Sequence, residues 1–363
     1  MVAAGVSDKV ELPSHLEAAE PPEARGLRRD DVRLLVSRID VDTIAHSRFS
    51  ELPKWLTPGD LLVVNTSGTL SAALLARARN GDTFEVHLST RLPGNIWAIE
   101  VRRPGSVASL PYRDARAGTI YELEGGGCLT LLAPYPFIDR LDARSRLWLA
   151  ALELGEPVLS YLERFGSPIR YGYVTESWPG SNYQTIFATE PGSAEMPSAA
   201  RPFTHELVTR LISSGIQIAP LLLHTGVASL EDHEPPYEEF YRVPAETAER
   251  VNAAKRAGRR VIAVGTTVVR ALETVTDRRG ATSAGEGWTG LVIGPDRPLR
   301  AVNGIITGFH EPHATHLAMI EQVIAAAGGN PSQSHLDRAY SEAREAGYLW
   351  HEFGDSHLII GAA

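Results

Sequence analysis

The chain has 363 residues, 43% hydrophobic and 22% charged, enough for a substantial core and for two domains. Its net charge of −9 argues against a broadly basic nucleic-acid binder that relies on phosphate neutralisation. No apolar run approaches the roughly 18–20 residues of a membrane span, and the start "MVAAGVSDKVELPSHLEAAEPPE" lacks a secretory pattern. The single cysteine, Cys128, leaves no intrachain disulfide and fits a reducing compartment, so a cytoplasmic protein without membrane attachment is expected.

Residues 1–30, rich in proline, glutamate and arginine, read as an irregular lead-in. "DVRLLVSRI" and "GDLLVVNTS" then read as strands, the second apolar almost throughout, as in a strand covered on both faces. Between 71 and 157 the alternating segments "TFEVHLST", "NIWAIEVRR", "GTIYELEGG" and "CLTLLAPYP" are parted by glycine and proline turns. They predict a small inserted antiparallel β-barrel domain, with a helix only at "RSRLWLAALELG".

From 158 onward helix and strand alternate. "THELVTRLISSG" has an N-cap at Thr204 and a stop at Gly215. Strand "IQIAPLLLHTG", helix "PAETAERVNAAKRAG", strand "RRVIAVGTT", helix "VVRALETVT" and strand "LRAVNGIITGFH" follow, with a further helix starting near Pro312. This order predicts an α/β fold in which 1–70 and 158–363 form one discontinuous domain, a mainly parallel sheet with covering helices. The basic clusters "GLRRDD", "KRAGRR" and "TDRRG" are short and read first as solvated surface, with an RNA footprint as the alternative.

Open parallel sheets bind ligands beyond the carboxyl ends of their strands. Those ends carry Asn65-Thr66-Ser67, His224-Thr225-Gly226, Gly265-Thr266-Thr267 and His310-Glu311, so four polar clusters are expected at one crevice. In "VGTTVVRALET" a glycine turn leads into a helix N-terminus where an anion can dock, with Arg270 one turn on. Thr266 as a plain cap and Arg270 as a surface charge are the bland alternatives. His224 ends an apolar strand, where a hydrogen-bonded structural histidine and a proton-exchanging one are both open readings. "FHEPHATH" places His310, His313 and His316 three residues apart, but Pro312 interrupts the helix that would align them, so no metal is expected.

The blocks "LTPGDLLVVNTS", "NYQTIFATEPGSAEMPSAARPFT", "LLLHTGVASL", "VPAETAERVNAAKRAGRRVIAVGTTVVRALET", "ITGFHEPHAT" and "EFGDSHLII" together resemble the S-adenosylmethionine:tRNA ribosyltransferase-isomerase family of queuosine biosynthesis, from about residue 10 to 360. The resemblance implies an α/β catalytic domain interrupted by a β-barrel. It also implies transfer of the ribosyl part of S-adenosylmethionine, a co-substrate, to a 7-aminomethyl-7-deazaguanine base in tRNA, with loss of adenine and methionine and no metal. His310 falls in the family's Phe-His-Leu-Pro block, while His313 and His316 look incidental. His224, His310 and Asp355 are the candidates for proton exchange. Thr266, Thr267 and Arg270, after Gly265, are candidates for the methionine carboxylate, and Phe203, Phe309 or Tyr183 for the sulfonium, each with core packing as the alternative. Asn65, Gln184, Thr204 and Glu239 complete the expected substrate-binding set.

The chain also departs from the family. The family's Asn-Asp-Thr-Arg is here Asn65-Thr66-Ser67-Gly68, its Gly-Leu-His-Phe-Thr is Ala200-Arg201-Pro202-Phe203-Thr204, and its His-Lys-Met-His-Ser-Glu is Glu234-Pro235-Pro236-Tyr237-Glu238-Glu239. These losses keep other readings open: a divergent paralog using S-adenosylmethionine with a small-molecule acceptor or cleaving it without tRNA, a non-catalytic RNA-binding module, and a zinc hydrolase built on His310, Glu311 and His313. Acceptor and oligomeric state are not legible in the sequence.

Overall fold

The computed structural model describes residues 12–105, 108–135, 145–227, 237–311, 315–329 and 334–363. In chain order its strands and helices begin with β1 (Arg33–Arg38), β2 (Thr43–Arg48), β3 (Leu61–Asn65) and β4 (Ser67–Thr69). The next group is β5 (Ala73–Ala78), β6 (Thr83–Leu92), β7 (Ile96–Arg103), β8 (Leu110–Pro111), β9 (Ile120–Leu123), β10 (Cys128–Tyr135) and β11 (Leu147–Glu153). Then come α1 (Val158–Phe165), β12 (Glu190–Ser193), α2 (His205–Ser213), β13 (Gln217–Leu223), β14 (Glu239–Val243), α3 (Ala245–Arg256), β15 (Val261–Val264) and α4 (Thr266–Thr274). The chain closes with β16 (Gly285–Thr289), β17 (Gly304–Gly308), α5 (Thr315–Ala326), α6 (His335–Glu345) and β18 (Ser356–Ile360).

The large sheet has the order β16-β14-β13-β3-β15-β17-β18-β1-β2. Its centre is parallel, β13 with β3, β3 with β15 and β15 with β17, as the alternation of helix and strand requires. Antiparallel strands extend it: β14 and β16 on one side, and on the other β18, which pairs antiparallel with β17 and parallel with β1, followed by the hairpin partner β2. Strands β3, β15 and β18 are buried at every position, the reason β3 and β15 read as nearly continuous apolar runs, while β18 also buries Ser356 and His357. Alternate residues feed two cores: Leu61, Val63, Val261 and Ala263 pack beneath α3, α4 and α5, while Leu62, Val64, Ile262 and Val264 pack with Phe49, Phe203 and Leu207 of α2 on the other face.

Six antiparallel strands close a barrel in the order β11-β10-β9-β5-β6-β7, sealed by pairing of β11 with β7. The helix expected in "RSRLWLAALELG" is instead strand β11. Its residues Leu147, Trp148, Ala150 and Leu152 are buried, and hydrogen bonds to β10 and β7 outweigh the helical propensity of leucine and alanine. Strand β5, "ALLARA", carried no strand signal of its own; it is held by β6 and β9. The barrel core runs on through Tyr161 and Leu162 of α1 to Ile169. Thr204 caps α2 by accepting the Leu207 N–H at 3.1 Å, and α2 ends before Gly215 at φ 81°. The expected helix start at Pro312 lies outside the described residues; α5 is described from Thr315. Among the described residues no helix is long and apolar enough to cross a membrane.

Candidate active site

Because β18 runs against β17, its first residues reach the same sheet edge as the carboxyl ends of β3, β13, β15 and β17; Ser356 pairs with Gly308. That edge therefore carries Asn65, His224, Gly265-Thr266-Thr267, Phe309-His310 and Asp355 together. Asn65 is fully buried and stitches two strands: its amide nitrogen donates to the Leu223 carbonyl at 2.8 Å, and its oxygen accepts the Leu223 and Ser67 N–H groups at 3.0 and 3.1 Å. The same amide nitrogen lies 3.5 Å from the Thr267 hydroxyl, which links β3 to α4.

Gly265 precedes α4 at φ 97°, ψ 155°, a conformation essentially reserved for glycine. The turn aims the first N–H groups of α4 at the edge, where an anion is favoured. Arg270, by contrast, is committed within the protein. It forms an ion pair with Glu239 and donates to the Leu291 and Thr289 carbonyls at 3.1 and 3.2 Å. Glu239 also accepts the Gly226 N–H at 2.9 Å, so Arg270 braces the loop after β13, and a ligand carboxylate would have to compete with Glu239. Of the divergent stretch 234–239 only 237–239 lie within the described residues.

His224 stacks near Phe240, its ring lodged against the backbone of Gly192, where an added Cβ would come within 2.3 Å of the ring. Its Nδ1 is 2.7 Å from the Ser67 hydroxyl and its Nε2 is 3.8 Å from Glu190, itself held by Arg242 at 2.9 Å. Burial pushes the His224 pKa down, partly offset by Glu190 and reinforced by Arg242. The barrel reaches the site through a bulge in β6: pairing with β7 slips between Leu88 and Thr90, and Ser89 accepts the Val227 N–H at 3.0 Å. Gly226 fits there because a Cβ would meet the Ser89 hydroxyl at 2.7 Å.

His310 is half-buried, its Nε2 2.9 Å from the Thr307 hydroxyl and its ring stacked on His316 at 4.7 Å. Burial, and then the neighbouring histidines 316, 351 and 357, push its pKa well below the usual imidazole range, so the ring is neutral at neutral pH. His316, set aside in the sequence, therefore belongs to the His310 environment; the three-residue spacing was its signal. His313 lies outside the described residues. Among the described residues no three His, Cys, Asp or Glu side chains converge as a metal would need.

Asp355 is buried and accepts the Arg33 and Leu349 N–H groups at 2.7 and 2.8 Å, tying β1 to the turn before β18; burial raises its pKa. It lines a small cavity of about 10 Å³, the size of one water, with Gly308, Arg201 and His351. His351 was missed in the sequence. It adopts φ 72°, stacks on Tyr173 at 3.9 Å, and leaves its buried Nε2 without a hydrogen bond, 3.6 Å from Glu17.

The remaining expected residues make packing, clamping and capping contacts within the protein. Phe203 is fully buried between Phe49 and Phe187, and Phe309 packs on Trp350 and His357. Tyr183 packs on Phe353. These burials fit the core-packing alternative for each ring. Gln184 clamps Thr69 by accepting its N–H at 3.0 Å and donating to its carbonyl at 2.7 Å, and Thr204 adds a bond to buried Asp30 to its capping role.

Residues 9–359 match a family model described as queuosine biosynthesis protein. A protein of Carboxydothermus hydrogenoformans named S-adenosylmethionine:tRNA ribosyltransferase-isomerase is 36% identical over 96% of this chain and 97% of its own length. One of the same name from Moorella thermoacetica is 37% identical over 96% and 98%. The crystal structure of S-adenosylmethionine tRNA ribosyltransferase from Thermotoga maritima is 30% identical, covers 97% of this chain and 99% of that one, and superposes with a TM-score of 0.51. With a family model spanning nearly all of it and relatives matching end to end, the chain belongs to the queuosine biosynthesis protein family.

Proposed function

We propose that the protein is an S-adenosylmethionine-dependent ribosyltransferase-isomerase. It moves the ribosyl part of S-adenosylmethionine to a 7-aminomethyl-7-deazaguanine base in tRNA, in the cytoplasm, giving epoxyqueuosine with release of adenine and methionine. The observation that carries this reading is the end-to-end match to relatives of that name, which covers barrel and sheet alike.

The reaction makes two proton demands. The sulfonium acidifies the adjacent 5′-carbon, from which a base must take a proton, and adenine needs a proton on a purine nitrogen to depart. His310, held neutral by burial at the edge where the strand ends gather, is the proposed base. The first turn of α4, after Gly265, offers N–H groups and the Thr266 and Thr267 hydroxyls to the methionine carboxylate, with Asn65 fixing Thr267 from β3. Asp355 supports the edge from β18 and is the proposed reservoir for the second proton, its raised pKa keeping it closer to protonation than an ordinary carboxyl.

The test is incubation of the purified protein with S-adenosylmethionine, with and without tRNA bearing the deazaguanine precursor, followed by mass spectrometry. Adenine and methionine should appear only with the tRNA; release in its absence would move the assignment to a tRNA-independent S-adenosylmethionine enzyme. His310→Ala should slow adenine release on the order of 10²–10⁴-fold with an unchanged circular dichroism spectrum. Undiminished turnover would remove its role.

A further inference from the structure

Beneath His224 runs a line of buried hydroxyls that the reaction above does not use. Ser193 Oγ accepts the Thr225 N–H at 3.0 Å and lies 2.6 Å from Ser67 Oγ, which lies 2.7 Å from His224 Nδ1. Ser193 is 0% and Ser67 1% exposed, so neither hydroxyl can turn to solvent. Each serine has one proton to give and two lone pairs. Among the described residues, the only acceptor in reach of the Ser193 proton is Ser67, and Ser67 reaches only Ser193 and His224.

One direction alone gives every proton an acceptor: Thr225 N–H to Ser193, Ser193 to Ser67, Ser67 to His224 Nδ1. The reverse direction strands the Ser193 proton in a buried site, and an unmade buried bond costs more than a made one gains. A backbone amide cannot act as acceptor at its N–H, so the fold itself sets the polarity. At the far side of the ring, Nε2 faces the Glu190 carboxylate at 3.8 Å, too long for a bond but attractive to an N–H and repulsive to a lone pair. Gly192 leaves room for the ring against the backbone, where a Cβ would come within 2.3 Å of it.

We infer that Ser67, bonded from behind by Ser193, is a positioning residue that locks His224 as the neutral Nε2–H tautomer, making it a fixed hydrogen-bond donor to an acceptor atom of the substrate and not the base. The purpose of the donor rests on the ribosyl-transfer reading; the tautomer does not. Burial, which disfavours the imidazolium, acts in the same sense, against the opposing pull of Glu190 from β12 and with Arg242 from β14.

The test is nitrogen NMR on the full-length protein labelled in its histidines, with His224 assigned by the signal lost in His224→Gln. The expected spectrum shows a proton on Nε2 and a bare Nδ1. Ser67→Ala should release both tautomers, lower the rate of adenine formation about tenfold and shift its pH profile. Ser67→Thr keeps the hydroxyl and should behave as the wild type, and Ser193→Ala, which leaves the Ser67 proton only His224 as acceptor, should keep the Nε2–H tautomer. A proton on Nδ1 in the wild type, or a Ser67→Ala protein with tautomer and pH profile unchanged, overturns the inference. If no adenine forms with tRNA, the reaction is misread, and the labelled ring still decides the tautomer.

Discussion

At the residue scale the site depends on rings held by unlike means. His224 is seated by a glycine. Gly192→Ala meets no backbone strain, but its Cβ would overlap the imidazole, so the ring must leave its seat. Misplacement of a reacting group by about 1 Å costs on the order of a hundredfold, and we expect that loss in adenine release, with a thermal midpoint close to wild type. His357 is a different case. It is fully buried, hydrogen-bonded through Nε2 to Ser37 at 2.9 Å, and burial, then His335, depresses its pKa to about 3. Its unfolded pKa is about 6.5, so between these values the unfolded chain binds a proton that the native state refuses. Stability is therefore full above the unfolded value and falls as the pH drops through this window. Denaturant titrations at about pH 7.5 and about pH 5 should show the loss, to which the other histidines with lowered pKa, His224, His310, His316 and His351, also contribute, and His357→Met should make it smaller; an unchanged slope would dismiss His357 as a source.

At the element scale, the two edges of the large sheet have separate jobs. The edge opposite the site is pinned by a buried ion pair, Asp60 with Arg260, where β3 and β15 begin. Asp60 also accepts the Thr57 N–H at 2.7 Å, and Arg260 reaches the Gly361 carbonyl at 3.2 Å. Removing one partner of such a pair leaves a buried charge uncompensated, and Asp60→Ala should lower the unfolding free energy by about 3–5 kcal/mol. The variant's kcat at a temperature where it stays folded should match the wild type; a large drop would mean the sheet transmits the change to its other edge. The elements themselves were mostly legible. Strands β1, β3, β6, β7, β9, β10, β13, β15 and β17 follow the apolar patterns quoted for them, since burial on one or both faces leaves that trace in composition. Strand β11 did not, because leucine and alanine suit either state and only its partners β10 and β7 decide between them.

For the whole molecule, the question is where the barrel ends as a cooperative unit. The sequence changes character between 71 and 157, yet Tyr161, Leu162 and Ile169 fill the barrel's core from beyond that limit. We propose that α1 belongs energetically to the barrel. Leu162→Ala should cost about 2–5 kcal/mol, and amide exchange should accelerate in β9 and β10 ahead of β3 and β15. Equal acceleration in both would mean that barrel and sheet unfold as one. The hydrogen bond from the Val227 N–H to Ser89, with Val227 packed in the barrel core, is one path by which barrel packing reaches the loop after His224.

By itself the sequence determined the alternating order of helix and strand, the inserted antiparallel barrel and the polar residues at the strand ends, because periodicity and turn chemistry are local and survive in the order of residues. Only the tertiary structure decided what those polar residues do. That Asp355 joins the edge follows from β18 running antiparallel to β17, and that Arg270 is spent on Glu239 follows from a contact 31 positions away. The hydroxyl line under His224 joins Ser67 to partners 126 and 157 positions distant. Hydrogen bonds of such span obey no period, and their direction is set by which groups remain buried without another partner once the chain has folded.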